Sequence, residues 1–217
     1  MNGRCARGDK TSSMTNLIKS VLLSIRHCKK WILTIFSIYC ISCLTGTIMV
    51  YSGNNFALSY RDKIVGNAIA HDNASINYNK GNRFKAAIID FSKNLFIGSI
   101  PQTFMGLGVI FPFFTSAYQG WIGGIVSVDG LHQSRLKKIK SAFYYFIVLI
   151  LQWIPYSLTI GSGLTLGIKT YNLNKGRKLF KYQIDKSSLK DVLNIYLFAI
   201  PLFFFASCFE FLSNWNN

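Results

Sequence analysis

Acidic residues are scarce in this chain: eight Asp and Glu stand against 24 Lys and Arg, for a formal net charge of +16 over 217 residues. Histidine is scarcer still, and His27, His71 and His132 lie far apart, outside the centres of the apolar runs. No HExxH helix, paired-glutamate box or G-x-S-x-G turn is present, and Ser157 and Ser162 have no candidate base near them on their own helix. Five cysteines, Cys5, Cys28, Cys40, Cys43 and Cys208, make an odd count without the spacing of a disulfide framework. Cys40 and Cys43 form a C-x-x-C inside the apolar run IYCISCL, where a thiolate is disfavoured and small-residue packing is the natural role. The glycine-rich GSGLTLG lacks the Lys-Ser/Thr ending that a phosphate loop needs. These absences leave no catalytic, cofactor-binding or metal-ligating set, and the chain is expected not to be an enzyme.

Apolar residues are what the chain has in quantity. They make up half of it, with eighteen Phe and eleven Tyr, and come in long uninterrupted runs rather than in amphipathic periods. About 20 apolar residues at 1.5 Å each cross a bilayer. The fold expected is therefore all-α, a polytopic membrane helix bundle of about five transmembrane helices, in a multi-pass inner (cell) membrane protein. The basic residues fall between the runs, where Lys and Arg set topology and attract anionic head groups, so nucleic acid is not an expected partner.

In chain order, residues 1–30 form a basic, cytoplasmic N-terminal segment, within which Leu17 to Ile25 reads as a short amphipathic helix on the membrane surface. The transmembrane bundle occupies 31–213. Its first span, Trp31 to Tyr51, is aromatic at both ends, too long for a signal peptide and followed by no A-x-A-like site, and so reads as an uncleaved anchor. Residues 52–84, rich in Asn, Ser and Gly, read as a solvated loop, with a glycosylation-type triplet at Asn73-Ala74-Ser75. The block 84–128 is long enough for two short spans. Asp90 and Lys93, three apart on one helical face, are placed to pair with each other. Gly120 and Gly124, like Gly163 and Gly167, form G-x-x-x-G faces that let helix backbones approach closely in lipid.

The most informative stretch is Tyr144 to Lys169, an apolar run broken at its centre by Gln152, Trp153 and Pro155. Proline frees a carbonyl one turn earlier and an amide is expensive in lipid, so both need partners on other helices. The last span, Val192 to Leu212, carries Glu210 near its end, either hydrated at the interface or reaching a polar partner on a neighbouring helix. With five spans and the N-terminus inside, fourteen Lys and Arg lie inside against nine outside; with four spans the sides are nearly equal, at eleven and twelve. Five spans fit the positive-inside rule better.

From Phe84 onward the order of features resembles the stage II sporulation protein M family of bacterial and archaeal membrane proteins. The stretches that carry the resemblance are FKAAIIDFSKNLFIG, then TFMGLGVIFPFFTSAYQGWIGG with Gln119-Gly120 and Gly124, then Gly163-Leu164-Thr165-Leu166-Gly167, and finally Ala206 to Glu210. Counting back from the third places Gln152 at the family's glutamate, Pro155 close to its proline and Val148 at its histidine. Neither Gln152 nor Val148 titrates, which argues against a proton- or metal-linked role for that pair. The resemblance implies a non-enzymatic membrane component of a larger assembly: an integral membrane scaffold or accessory subunit. The alternative is a permease-like subunit of an ABC-type export or peptide-maturation system, its ATPase being a separate chain. Expected partners are the lipid bilayer and other subunits of the complex, either an ATP-binding subunit in trans or cell-wall hydrolases; a homo-oligomer is left open.

Overall fold

A computed structural model describes residues 9–175 and 183–213, with side chains from residue 15 onward. Among these residues the chain is all-helical. Three helices, Thr15–Tyr51, Ile139–Asn174 and Lys186–Leu212, are long and apolar enough to cross a membrane.

The first helix, α1 (Asp9–Tyr51), runs unbroken for 43 residues. It contains no proline, and no glycine before Gly46, so nothing in its sequence stops it. The surface helix expected at Leu17–Ile25 is therefore not a separate element but the beginning of this one. The polar segment 52–84 also departs from expectation: it holds α2 (Asn55–His71) and α3 (Asn73–Asn79). Asn54 caps α2 by accepting from the Ala57 N–H, and Asp72 caps α3 by accepting from Ser75, each at 3.0 Å. Asn and Asp are the residues best suited to that position.

The block 84–128 gives α4 (Arg83–Ser92), a π-helical turn (Lys93–Ser99), α5 (Ile100–Met105) and a short 3-10 turn (Gly106–Gly108), then α6 (Phe111–Ile125). The first four follow one another without a break. Pro101 explains the wide turn: it has no N–H and its ring crowds the preceding turn, and the Ile100 N–H reaches back five residues to the Leu95 carbonyl. Neither the α4-to-Gly108 segment nor the 15-residue α6 is a single α-helix of spanning length. The long helices α7 (Ile139–Asn174) and α8 (Lys186–Leu212) complete the fold.

Helix α7 lies at the centre. Tyr39 of α1 stacks on its Trp153 with ring centroids 5.6 Å apart, and Phe203 of α8 meets its Tyr156 edge-on at 4.9 Å. Below these rings α7 turns to small residues, and backbone meets backbone. A Cβ at Gly161 would lie 2.6 Å from the Ile32 Cα, and those of Gly163 and Gly167 would collide with the backbone at Thr103 and Gly106. The second G-x-x-x-G is also used inside the chain. Gly120 faces the Tyr39 carbonyl, 2.6 Å from where its Cβ would be, and Gly124 abuts Cys43 and Thr47. All four glycines of the two faces thus seat helices of this same chain against one another.

A side chain at these positions must push helices apart, whereas Gly66 of α2 has open space around it. Gly163→Val is expected to destabilise the detergent-solubilised protein by about 1–3 kcal/mol or more. Gly66→Ala should leave it unchanged or raise stability by up to about 1 kcal/mol. Thermal or SDS unfolding followed by tryptophan fluorescence measures both.

Candidate functional site

Three helices each contribute a pair of polar side chains one turn apart: Asp90 and Asn94 from the α4–π junction, Gln152 and Tyr156 from α7, Ser207 and Glu210 from α8. Residues three or four apart share a helix face, so each pair points the same way. The close approach of α7 and α8 brings the three pairs together.

The amides make the connections. Asn94 donates from Nδ2 to Asp90 Oδ2 at 2.8 Å and to Gln152 Oε1 at 3.4 Å. Gln152 donates in turn from Nε2 to Glu210 Oε2 at 3.0 Å. Ser207 donates to Asp90 Oδ2 at 2.7 Å, and the Tyr156 hydroxyl donates to Asn94 Oδ1 at 3.0 Å. Two carboxylates are thereby joined through two amides, each acid accepting from one amide N–H. Asp90, Asn94, Gln152 and Glu210 are half-buried, while Tyr156 and Ser207 are buried. Among the described residues neither carboxylate is in an ion pair.

The predicted pairing of Asp90 with Lys93 is not formed. The Lys93 ammonium turns away from the cluster to Asp72 at 2.5 Å, at the cap of α3. The two residues keep their α-helical spacing, the Lys93 N–H still bonding to the Ile89 carbonyl, but the long lysine side chain finds Asp72 instead, while Asp90 is taken up by Asn94 and Ser207. Glu210 takes the second of its expected alternatives, a polar partner on another helix. Pro155 is fully buried; its carbonyl accepts from the Thr159 hydroxyl at 3.0 Å. Gly120, Gly124, Gly163 and Gly167 lie apart from the cluster, in the helix contacts.

Sequence reasoning did not single out Asn94, Tyr156 or Ser207 as site residues. Their spacing from Asp90, Gln152 and Glu210 was the available signal. A second polar group, farther along α7, was also missed. Tyr196 of α8 shares its hydroxyl with Ser99 at 3.0 Å and Thr103 at 2.8 Å, and Ser99 donates to Thr159 at 2.9 Å. A polar seam therefore follows the junction of α7, α8 and the π-turn segment. Among the described residues no three His, Cys, Asp or Glu side chains group as metal ligands.

On the loop side, Arg61 of α2 is buried and donates to the Val128 carbonyl at 3.2 Å while pairing with Asp62 at 2.9 Å. His132 reaches the other Asp62 oxygen at 2.8 Å. These bonds tie the 126–138 turn to α2.

No protein-family model matches the chain, and neither a curated protein nor a solved structure matches it. The resemblance to the stage II sporulation protein M family rests on its short motifs alone.

Gln152→Leu removes the donor to Glu210 and the acceptor from Asn94. Loss of these bonds within the bundle is expected to cost about 1–3 kcal/mol while leaving insertion intact, measurable by unfolding in detergent beside a membrane-fraction blot. Asp72 gives a prediction on pH. Burial raises its carboxyl, but hydrogen bonds from Lys93 and from the Ser75 backbone and hydroxyl outweigh that and hold it below the ordinary carboxylate range. A lowered folded-state value contributes stability above the unfolded carboxylate pKa, lost as pH falls through the folded one. Asp72→Ala should therefore cost about 1 kcal/mol at neutral pH and progressively less in acid, read as the difference between melting curves.

Proposed function

We propose that this chain is a non-enzymatic, multi-pass subunit of a multi-protein complex in a bacterial or archaeal cell membrane, of the permease-like, transporter-associated kind. The observation that carries the reading is the joining of Asp90 and Glu210 through Asn94 and Gln152 at a junction of three helices. Carboxylates among apolar helices are expensive and mark ion or substrate pathways more often than packing. A protein that only recruits partners has no need of them. The chain has no nucleotide-binding motif, so energy for transport comes from an ATP-binding subunit in trans, docked on the basic segment 169–191 at the N-terminal side.

Five spans fit this reading. Tyr39 faces Gly120 as Trp31 faces Phe113, so α6 runs parallel to α1, while α7 runs opposite to both, with Tyr39 against Trp153 and Ile32 against Gly161. The segment from Arg83 to Gly108 returns the chain between α3 and α6. Together these give an alternating order with the more basic loops on one side.

A scaffold holding cell-wall hydrolases, similar to the stage II sporulation protein M family's namesake, is the second reading. It draws on the outer face of α1, where Ile41, Leu44 and Ile48 form an exposed apolar stripe. Because the glycine faces are consumed within the chain, such a stripe is one surface open to a partner helix.

The deciding experiment is affinity purification of the tagged protein in mild detergent with mass spectrometry, followed by the Glu210→Gln variant. The permease-like reading expects an ATP-binding subunit in stoichiometric amount. Glu210→Gln can keep the hydrogen bond from Gln152, so the complex should assemble normally while its ATP hydrolysis in liposomes falls about tenfold. Recovery of cell-wall hydrolases instead would select the scaffold. Unchanged hydrolysis in the variant would reduce the cluster to packing.

A further inference from the structure

At the other end of the bundle from the carboxylates, α1, α7 and α8 enclose a cavity of about 300 Å³. Ser20 and Ser24 come from α1, Lys169 from the last turns of α7, Lys190 and Asn194 from the start of α8. Asn194 donates from Nδ2 to both serine oxygens, at 2.8 Å to Ser20 and 3.0 Å to Ser24. An oxygen that accepts from the amide keeps its own O–H for another acceptor, so both hydroxyls are set as donors. The acid in the wall, Asp191, is already held by His27 at 3.2 Å. Among the described residues neither Lys169 nor Lys190 is in an ion pair. Two ammonium groups and two serine hydroxyls thus line one cavity, whose single lining acid, Asp191, is hydrogen-bonded to His27.

The cavity wall also has an apolar part. Leu23 lines it and is exposed; Leu193 and Leu197 are exposed one and two turns along α8 from Lys190. Their spacing places them on the same helix face as Lys190, toward the apolar middle of the span. A free anion would find no use for that surface, whereas a molecule with a charged head and a hydrocarbon tail would fill both halves.

We infer that this cavity binds the head group of an anionic phospholipid, its phosphate between Lys169 and Lys190 and hydrogen-bonded by Ser20 and Ser24, its acyl chains along Leu193 and Leu197. Basic pockets between helices at the cytoplasmic rim are suited to such lipids. The site also assigns a role to the start of α1, whose contacts with α8 complete the cavity wall. This inference holds whichever partner the complex contains.

The test uses the full chain purified in a neutral detergent, titrated with phosphatidylglycerol, with phosphatidylcholine, or with inorganic phosphate, while melting is followed by tryptophan fluorescence. Phosphatidylglycerol should raise the melting temperature saturably and the other two should not. The exposed lysines can be changed without disturbing the core. Lys169→Gln and Lys190→Gln should each weaken the phosphatidylglycerol effect about fivefold in midpoint concentration. Lys137→Gln with Lys138→Gln, in the loop at the opposite end, should leave it unchanged. Equal stabilisation by phosphatidylcholine, an equal response to inorganic phosphate, or equal loss in the Lys137/Lys138 variant would each overturn the assignment.

Discussion

Backbone-to-backbone contact on two faces of α7 is the constraint on which the rest of the structure depends. Gly161 sits against Ile32, Gly163 against Thr103 and Gly167 against Gly106, so α1 and the α5 segment approach α7 as closely as helices can. In lipid no hydrophobic force favours helix pairing, because the tails are as apolar as the side chains they would replace. Dispersion at short range and interhelical hydrogen bonds must do it. Small residues bring the helices near enough for the first, and their nearness makes the second geometrically available.

The polar seam follows from that nearness. Ser99, Thr159 and Thr103 have short reach, and Ser99 and Thr159 bond directly because the helices carrying them are pressed together. One step along, beside Tyr156 and Phe203, amides and carboxylates take over: Gln152, Asn94, Asp90 and Glu210. The π turn belongs to the same geometry. It continues α4, from whose end Asn94 faces Gln152 and Tyr156 while Lys93 reaches out to Asp72.

How much of this was legible in the sequence depended on how local the cause was. The three long helices were written as apolar runs, and the centrality of the Tyr144–Lys169 stretch showed in its interrupted middle and glycine-rich end. The convergence of Gln152 with Glu210 was open from sequence because it depends on the register of α7 against α8, which no local pattern records. The 52–84 segment misled for a different reason. Its helices have little apolar periodicity and are held by caps at Asn54 and Asp72 and by the buried Arg61, so composition suggested a loop. The α1 start misled in the opposite way: a basic, weakly apolar stretch looked like a surface element, yet no residue in it ends the helix.

The distribution of charge makes the two ends of the bundle chemically distinct, and one sequence feature underlies both. With eight acids against 24 bases, nearly every carboxylate has a choice of cations, and Asp62 and Asp72 take one, while Asp191 is hydrogen-bonded to His27. Asp90 and Glu210 do not, although cations are abundant. Their isolation is imposed by position: the helix faces around them carry amides, hydroxyls and rings, so no lysine reaches them. The lysines at the other rim likewise form no ion pair among the described residues, and the carboxylate lining their cavity is hydrogen-bonded to His27. A chain this basic leaves lysines unpaired as a matter of course. Leaving two acids unpaired inside its helix bundle requires a specific arrangement of three helices, which is why the carboxylate cluster, more than the net charge, bears on what the protein does.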